Sequence, residues 1–413
     1  MNIWIINQTA IPPSMGGLVR HYYFSKYLQE RGHKVQIITS SMIHNTKVNM
    51  INDKSLLKEE VFDNVLYTFI KVRNYAGNGL NRIISMLEFP YRVRMLQKRM
   101  TEMYGKPDVI YASSPSPFAA FMAVKIAKKM KVRSVFEVRD LWPESIVEYN
   151  KITDKNPIIK MMYIMEKWIY KNAGKIIFTM GAGDRYLIDK DWMMKIGSEK
   201  VFHVNNGVDL EEFDYNNENY FSQDKDLNNQ DIFKVVYMGS IRKVNHLIDL
   251  VDAAEQMQKD GYSNIKLLIY GDGTEKEELI AICKSKSLNN IEFKGRIEKK
   301  YIAGVLSKSN LNIIQVQNTG LAKYGCSWNK LFEYMASGKP ILSNCPVAED
   351  LIMKHNLGVS TLLNSPQDYV NQILYFYTMD KIEYETICSN ALNTIKEYDY
   401  KKLTEKIEKI LTI

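Results

Sequence analysis

Short apolar runs alternate along the chain with longer amphipathic stretches. Residues 3–7, 35–39, 65–72, 108–112, 134–138, 175–179 and 201–204 are runs of four to eight residues, most of them dominated by Ile, Val or Phe. Runs of that length between turn-forming residues read as strands buried on both faces. Between them, 18–31 and 157–172 carry apolar residues at helical spacing, and Ser-Ser-Pro-Ser-Pro at 113–117 opens a helix that ends near Lys128-Lys129. A second series restarts with strands at 233–238, 265–270, 291–294, 311–316 and 340–342, with a helix up to about 259 and another over 328–337. Strand–helix alternation of this kind predicts an α/β chain of two doubly wound parallel-sheet halves, helices on both faces of each sheet. The polar stretch 44–64 reads as loop, and the Asn-rich stretch 214–230 has linker composition. The expected organisation is a Rossmann-like domain over 1–205, a linker over 206–232, a second Rossmann-like domain over 233–390, and a terminal helical segment over 391–413.

Length and composition fit this plan. The 413 residues suffice for two or three domains, and 46% are hydrophobic, enough for two cores. Four widely spaced cysteines form no Cys-x-x-Cys pair, which suits a reducing compartment, and six histidines form no metal-binding pattern. No run approaches the ~18 apolar residues of a membrane span. The first residues lack a basic start and read as strand, not as a signal peptide.

Charge changes the picture more than composition does. Residues 1–200 hold 31 Lys and Arg against 18 Asp and Glu, whereas 201–413 hold 24 against 29. A basic first half beside a slightly acidic second half suggests an anionic partner for the first half, with nucleic acid and anionic lipid headgroups as candidates. Residues 78–104 interleave apolar positions with Arg82, Arg92, Arg94, Lys98 and Arg99, which suits an amphipathic helix on an anionic surface or one packed on the sheet with a solvated basic face; Pro90 interrupts the segment.

Candidate chemistry gathers at strand ends, where doubly wound sheets bind ligands. Gly16-Gly17 follows the first strand, and either a ligand's close approach or a tight turn accounts for it. The spacing is not Gly-x-Gly-x-x-Gly, so the dinucleotide fingerprint is absent. Arg139-Asp140 follows strand 134–138, as a site or as a structural ion pair. Gly239, Arg242 and Lys243 follow strand 233–238, and Arg296 follows Gly295. Arg242 and Lys243 stand where two cations would neutralise a leaving diphosphate, or are simply solvated. In the helix over 328–337, Ser327 is placed to cap the N-terminus, whose N–H groups suit a phosphate. Lys330 supplies another cation, and Glu333 could accept hydrogen bonds from two ribose hydroxyls. An ordinary capped helix with one exposed Glu is the plainer reading.

Residues 324–342, with Asn206-Gly207-Val208-Asp209 and the strand-end segments above, resemble retaining glycosyltransferase family 4, of the GT-B fold. The resemblance implies two Rossmann-like domains facing across a cleft. Glu333 matches the second Glu of the family's Glu-x7-Glu, while the first falls on Gly325. Lys330-Leu331-Phe332-Glu333-Tyr334 is similar to a bacterial surface-polysaccharide subgroup that includes N-acetyl-L-fucosamine transferases. The resemblance implies a metal-independent enzyme with no cofactor. Arg242, Lys243, Asp140 and Arg139 would be catalytic, and Gly16, Gly17, Gly239, Arg296, Ser327, Lys330, Leu331 and Glu333 would hold the nucleotide sugar. It further implies a UDP-sugar donor, a polyprenyl-diphosphate-linked saccharide acceptor, an anionic membrane surface rather than nucleic acid as partner, and a peripheral place on the inner face of the cytoplasmic membrane. In the family the terminal helix returns to the first domain. Alternatives from other classes are a GT-B sugar-nucleotide 2-epimerase, an NAD-dependent oxidoreductase and a non-catalytic nucleotide-sugar sensor.

Overall fold

A computed structural model describes residues 1–44, 46–75, 77 and 79–413. The chain divides into two units, one of Met1–Asn205 with Tyr400–Ile413, the other of Asn206–Asp399.

The first unit is built on eight strands: β1 Asn2–Ile6, β2 Lys34–Ser40, β3 Leu57–Phe62, β4 Val65–Ile70, β5 Val109–Ser113, β6 Arg133–Val138, β7 Lys175–Phe178 and β8 Val201–His203. Their order is β3-β4-β2-β1-β5-β6-β7-β8, and all but β3 run parallel. Ile3 pairs with Val35 on one side and with Val109 on the other, so the first strand lies inside the sheet. Alternation along β1 sends Ile3 and Ile5 toward one helical layer and Trp4 toward the other. Ile3 and Ile5 share a core with Tyr23, Phe24 and Leu28 of α1 (Arg20–Glu30) and with Leu403, Ile407 and Leu411 of the terminal helix Tyr400–Thr412. Trp4 meets Tyr104 of α2 (Leu80–Tyr104) edge to face. On that side α2 packs on α3 (Pro117–Met130), and α3 on α4 (Pro157–Asn172).

Two local expectations are corrected in this unit. Residues 57–62 are not loop but the antiparallel edge strand β3, whose Lys58, Glu59 and Glu60 are the charged kind that blunts a sheet edge. Pro90 does not interrupt the basic segment, and α2 is one helix of 25 residues. Phe89, Val93, Leu96 and Met100 bury one face of it, which holds the helix together across the missing N–H. The expected segment begins at 78, and position 78 lies outside the described residues. Its apolar pattern is only partly core, since Leu80, Ile83, Leu87, Tyr91 and Met95 are exposed.

The second unit carries six parallel strands: β9 Phe233–Met238, β10 Ile265–Tyr270, β11 Ile291–Gly295, β12 Leu311–Ile314, β13 Ile341–Ser343 and β14 Gly358–Ser360, in the order β11-β10-β9-β12-β13-β14. The stretch with linker composition is instead part of this unit. It folds as α5 (Leu210–Asn219) and α6 (Lys225–Asn228), with Asp209 and Asp224 as their caps and Phe213 and Leu227 buried. Its polarity serves ion pairs. Lys294 reaches Asp224 at 3.1 Å and Asp226 at 2.5 Å, and Tyr270 donates to Asp224 at 2.8 Å, clamping α6 onto β10 and β11. At the other end the helix Lys381–Thr394 passes through position 390, and the terminal helix begins only at Tyr400.

Candidate functional site

In the second unit the site grows from the carboxyl end of β9. Gly271 and Gly273, after β10, lie so close to the loop after β9 that a Cβ at either would come within 1.8 Å of the Gly239 carbonyl oxygen or 2.1 Å of the Ile241 carbonyl oxygen. Backbone therefore packs on backbone, with Gly239 N–H donating to Tyr270 O at 3.0 Å and Ile241 N–H to Asp272 O at 2.9 Å. Asn245 Nδ2 donates to the Ser240 carbonyl at 2.7 Å and to its hydroxyl at 2.8 Å. The loop 239–245 is thus held from both ends, and Arg242 and Lys243 project from it, exposed and without ion pairs among the described residues.

The helix α7 (Asn329–Ala336) is anchored beside this loop. Leu331, Phe332, Tyr334 and Met335 are buried, and Tyr334 Oη accepts the Met238 N–H at 2.9 Å, tying α7 to the end of β9. Gly338, at φ 64°, takes the left-handed position past its end. Ser327 does not cap this helix. Trp328 is the capping residue and makes no side-chain cap bond, while Ser327 Oγ accepts the Asn206 N–H at 2.8 Å and its carbonyl accepts from Asn206 Nδ2. The backbone's extended turn at 327–328 points the hydroxyl to the incoming chain instead. Leu331 turns its side chain into the core, and its N–H donates to the Trp328 carbonyl.

Lys330 leaves α7 toward the β9 loop. Its ammonium donates to Tyr237 Oη at 3.3 Å, lies 4.4 Å from the centre of that ring, and would be 3.0 Å from a Cβ at Gly239. Tyr237 Oη is free to accept because it donates its own proton to the Ser240 carbonyl at 2.8 Å. Burial pushes the Lys330 ammonium down to about 8, with Glu333 opposing. Glu333 is half-buried one turn further on, and burial raises its carboxyl above the ordinary range against the pull of Lys299 and Lys330. Its side chain makes no hydrogen bond or ion pair among the described residues. Arg296 is exposed directly after Gly295, whose carbonyl accepts the Gly271 N–H at 2.9 Å. Gly239, Arg242, Lys243 and Lys330 thus come together around one loop. Gly325, where the first Glu of Glu-x7-Glu would fall, has φ 82°, a left-handed backbone that suits glycine and strains a glutamate.

In the first unit Ser114 Oγ accepts the N–H groups of Arg139 at 2.8 Å and Asp140 at 3.2 Å, holding the exit of β6. Asp140 is exposed. Gly17 has open space around it: a Cβ there would meet nothing within 4 Å, whereas one at Gly16 would meet the tip of Ile11. Beneath them lies a cluster that the sequence reading missed. Glu137, fully buried in β6, accepts from Arg20 Nε at 2.8 Å, from Ser113 Oγ at 3.0 Å and from Tyr111 Oη. Burial opposes its charge, but the Arg20 and Arg139 guanidinium groups, with the His21 ring beside it, hold the carboxyl well below the usual range. Arg20 also donates to the carbonyls of Val204 and Asn205. The available signal was a lone Glu inside an otherwise apolar strand, with Arg20-His21 opening the helix after the glycine loop.

Two family models match the chain. Residues 15–212 match Glycosyltransferase Family 4, and residues 220–394 match Glycosyl transferases group 1. Among solved structures, sucrose-phosphate synthase from Thermosynechococcus elongatus superposes with a TM-score of 0.74 at 15% identity, covering 100% of this chain and 98% of that one. The Anabaena protein Alr3699/HepE, in complex with UDP and glucose, gives 0.68 at 16% identity, covering 100% and 99%. The trehalose-6-phosphate protein from E. coli, bound with UDP-2-fluoro glucose, gives 0.74 at 9% identity, covering 100% and 99%. No curated protein sequence matches the chain.

Proposed function

This chain is a glycosyltransferase of the GT-B fold, and on that premise we propose that it moves a sugar, an N-acetylated amino sugar, from a UDP-sugar to a polyprenyl-diphosphate-linked saccharide in the building of capsule, O-antigen or a related bacterial polysaccharide. The observation that carries the donor half is the convergence of Lys330, Gly239, Arg242 and Lys243 on one pinned loop at the carboxyl end of a parallel sheet, with Glu333 a turn away. Backbone stripped of side chain at Gly239 and flanked by three cations suits a diphosphate, and a carboxylate without a protein partner suits two ribose hydroxyls. That two of the similar structures hold UDP or a UDP-sugar supports uridine as the base.

In the proposed reaction the bond from the anomeric carbon to the diphosphate breaks as the acceptor oxygen bonds to that carbon on the same face. The electron pair stays on the leaving UDP, which takes the acceptor's proton, and configuration is retained. Negative charge grows on the diphosphate as the bond breaks, so the pinned cations do more in the transition state than in the ground state. Asp140, exposed at the end of β6, would orient the acceptor hydroxyl.

The membrane half rests on α2. Leu80, Ile83, Leu87, Tyr91 and Met95 are exposed at spacings of three and four, beside exposed Arg94, Lys98 and Arg99. An apolar stripe flanked by cations suits the headgroup region of an anionic bilayer. No helix among the described residues is long and apolar enough to cross a membrane, so the protein would work as a peripheral enzyme on the inner face of the cytoplasmic membrane. The test is a thermal shift with UDP, GDP and NAD, followed by transfer of labelled sugar from the best donor to a lipid-linked acceptor. A nucleotide at 100 times its Kd stabilises by about 2.7 kcal/mol. UDP raises Tm and label enters lipid on this reading. A shift with NAD alone sinks it, and label entering only a soluble sugar phosphate would leave the donor reading and remove the lipid one.

A further inference from the structure

The carboxyl end of β6 holds a guanidinium whose Nε is buried without a hydrogen-bond acceptor among the described residues. Glu137 is the buried carboxylate there, and a carboxylate offers about four lone-pair directions. Arg20 Nε, Tyr111 Oη and Ser113 Oγ take three of them, and His21 Nε2 stands 3.2 Å from Oε1 without a hydrogen bond. Asn7 Oδ1 accepts the Thr9 N–H and hydroxyl, so its amide nitrogen faces His21 Nδ1 at 3.0 Å. That arrangement makes Nδ1 the acceptor and leaves the proton on Nε2, and burial favours the neutral ring. Arg20 therefore neutralises Glu137, and His21 adds no charge.

Arg139 is left over. Its positive charge is felt by Asp140, Glu137, His21 and Tyr111. Yet its side chain makes no hydrogen bond or ion pair among the described residues, and its Nε is buried with no partner. A buried guanidinium N–H without an acceptor is costly, so an acceptor supplied by a ligand is the economical account. Its neighbour Asp140 is exposed and forms no ion pair with it. The backbone at Arg139 is meanwhile held by Ser114 Oγ, so the guanidinium is presented from a fixed point.

We propose that Arg139 is the receptor for a phosphate group of a substrate, bound by the planar guanidinium at the carboxyl end of β6. A guanidinium fork matches phosphate oxygens two at a time, which an ammonium cannot. Resting on the glycosyl-transfer reading, the phosphate has two possible sources: the diphosphate of the lipid-linked acceptor or that of the donor nucleotide.

The experiment titrates the full-length chain by calorimetry with UDP and with geranyl diphosphate, a short soluble lipid diphosphate, geraniol being the control. Wild type, Arg139→Gln and Arg139→Lys are compared, with Lys330→Gln as the reference for the second unit. If the acceptor supplies the phosphate, geranyl diphosphate binds and geraniol does not. Arg139→Gln then weakens that binding at least tenfold, Arg139→Lys weakens it partly, and UDP affinity moves less than twofold. If the donor supplies it, Arg139→Gln weakens UDP at least tenfold and geranyl diphosphate does not bind. Affinities for both ligands that are unchanged in Arg139→Gln overturn the proposal. Should the Gln variant fail to fold, Arg139→Lys decides alone, since it keeps the charge and loses the fork: unchanged affinities for both ligands again overturn the proposal. Unchanged UDP binding in Lys330→Gln would count against the donor site of the second unit and leave Arg139 untouched.

Discussion

Lys330 carries the most direct consequence at the scale of single residues. With its ammonium pushed down to about 8, the folded chain releases this proton before the unfolded chain does. Between about 8 and the ordinary lysine value of 10.5 the unfolded state binds more protons, so this group makes the protein more stable as pH rises through that window, and costs stability below it. A bound diphosphate reverses the preference by favouring the charged form. UDP affinity should therefore fall as pH rises past about 8, with proton uptake on binding. Calorimetry in buffers of different ionisation heat would show it, and the uptake should vanish in Lys330→Met. Glu333→Gln should weaken UDP by about 10- to 100-fold, from the ~1.5–3 kcal/mol of charge-assisted hydrogen bonds. Thermal melting should be unchanged or higher, because the variant removes a carboxylate that burial disfavours. Neutralising Arg242 or Lys243 should lower kcat more than it raises the donor KM, since the charge they meet grows during reaction. A distant exposed lysine such as Lys381 gives the control.

At the scale of elements, α2 and the 206–232 stretch show where composition misleads. Both are rich in charge, but α6 spends its carboxylates on Lys294 and Lys266, whereas α2 leaves Arg94, Lys98 and Arg99 facing solvent beside an apolar stripe. If that stripe meets the bilayer, the chain should bind anionic vesicles better than neutral ones, and salt should weaken the binding. Arg94→Gln, Lys98→Gln and Arg99→Gln together should cost about 3 kcal/mol, at ~1 kcal/mol for each basic residue. Equal binding to both vesicle types in a flotation assay would remove α2 from the membrane. The same comparison explains why Pro90 stops nothing: packing of Phe89, Val93 and Met100 outweighs one lost backbone bond.

At the scale of the whole molecule the first unit is discontinuous in sequence. Tyr400 stacks on Tyr23 at 4.7 Å between ring centres, and Leu403, Ile407 and Leu411 complete the core around β1. Ile407→Ala should cost about 2–5 kcal/mol, read in urea unfolding of the full chain. Residues 1–205 expressed without 400–413 should be less stable than the same residues with that helix supplied in the same chain.

The apolar runs by themselves determined the central parallel strands and the division into two α/β halves, because a strand buried on both faces has no choice but to be apolar throughout, whereas the charged edge strand β3 and the short edge strand β14 carry no such run. The placement of Gly239, Arg242 and Lys243 just past a strand and of Lys330–Glu333 on one helix was also legible, since strand and helix ends are written in neighbouring residues. Other features depend on partners far apart in the chain. That Ser327 serves Asn206 rather than its helix, that an Asn-rich stretch is folded, and that Gly271 and Gly273 pin the site loop follow from contacts across tens to over a hundred residues. The largest such decision is at Glu137. A lone acid in an apolar strand gives no sign of its partner, and only the fold brings in Arg20 from 117 residues away, satisfies that acid, and so leaves Arg139 without one.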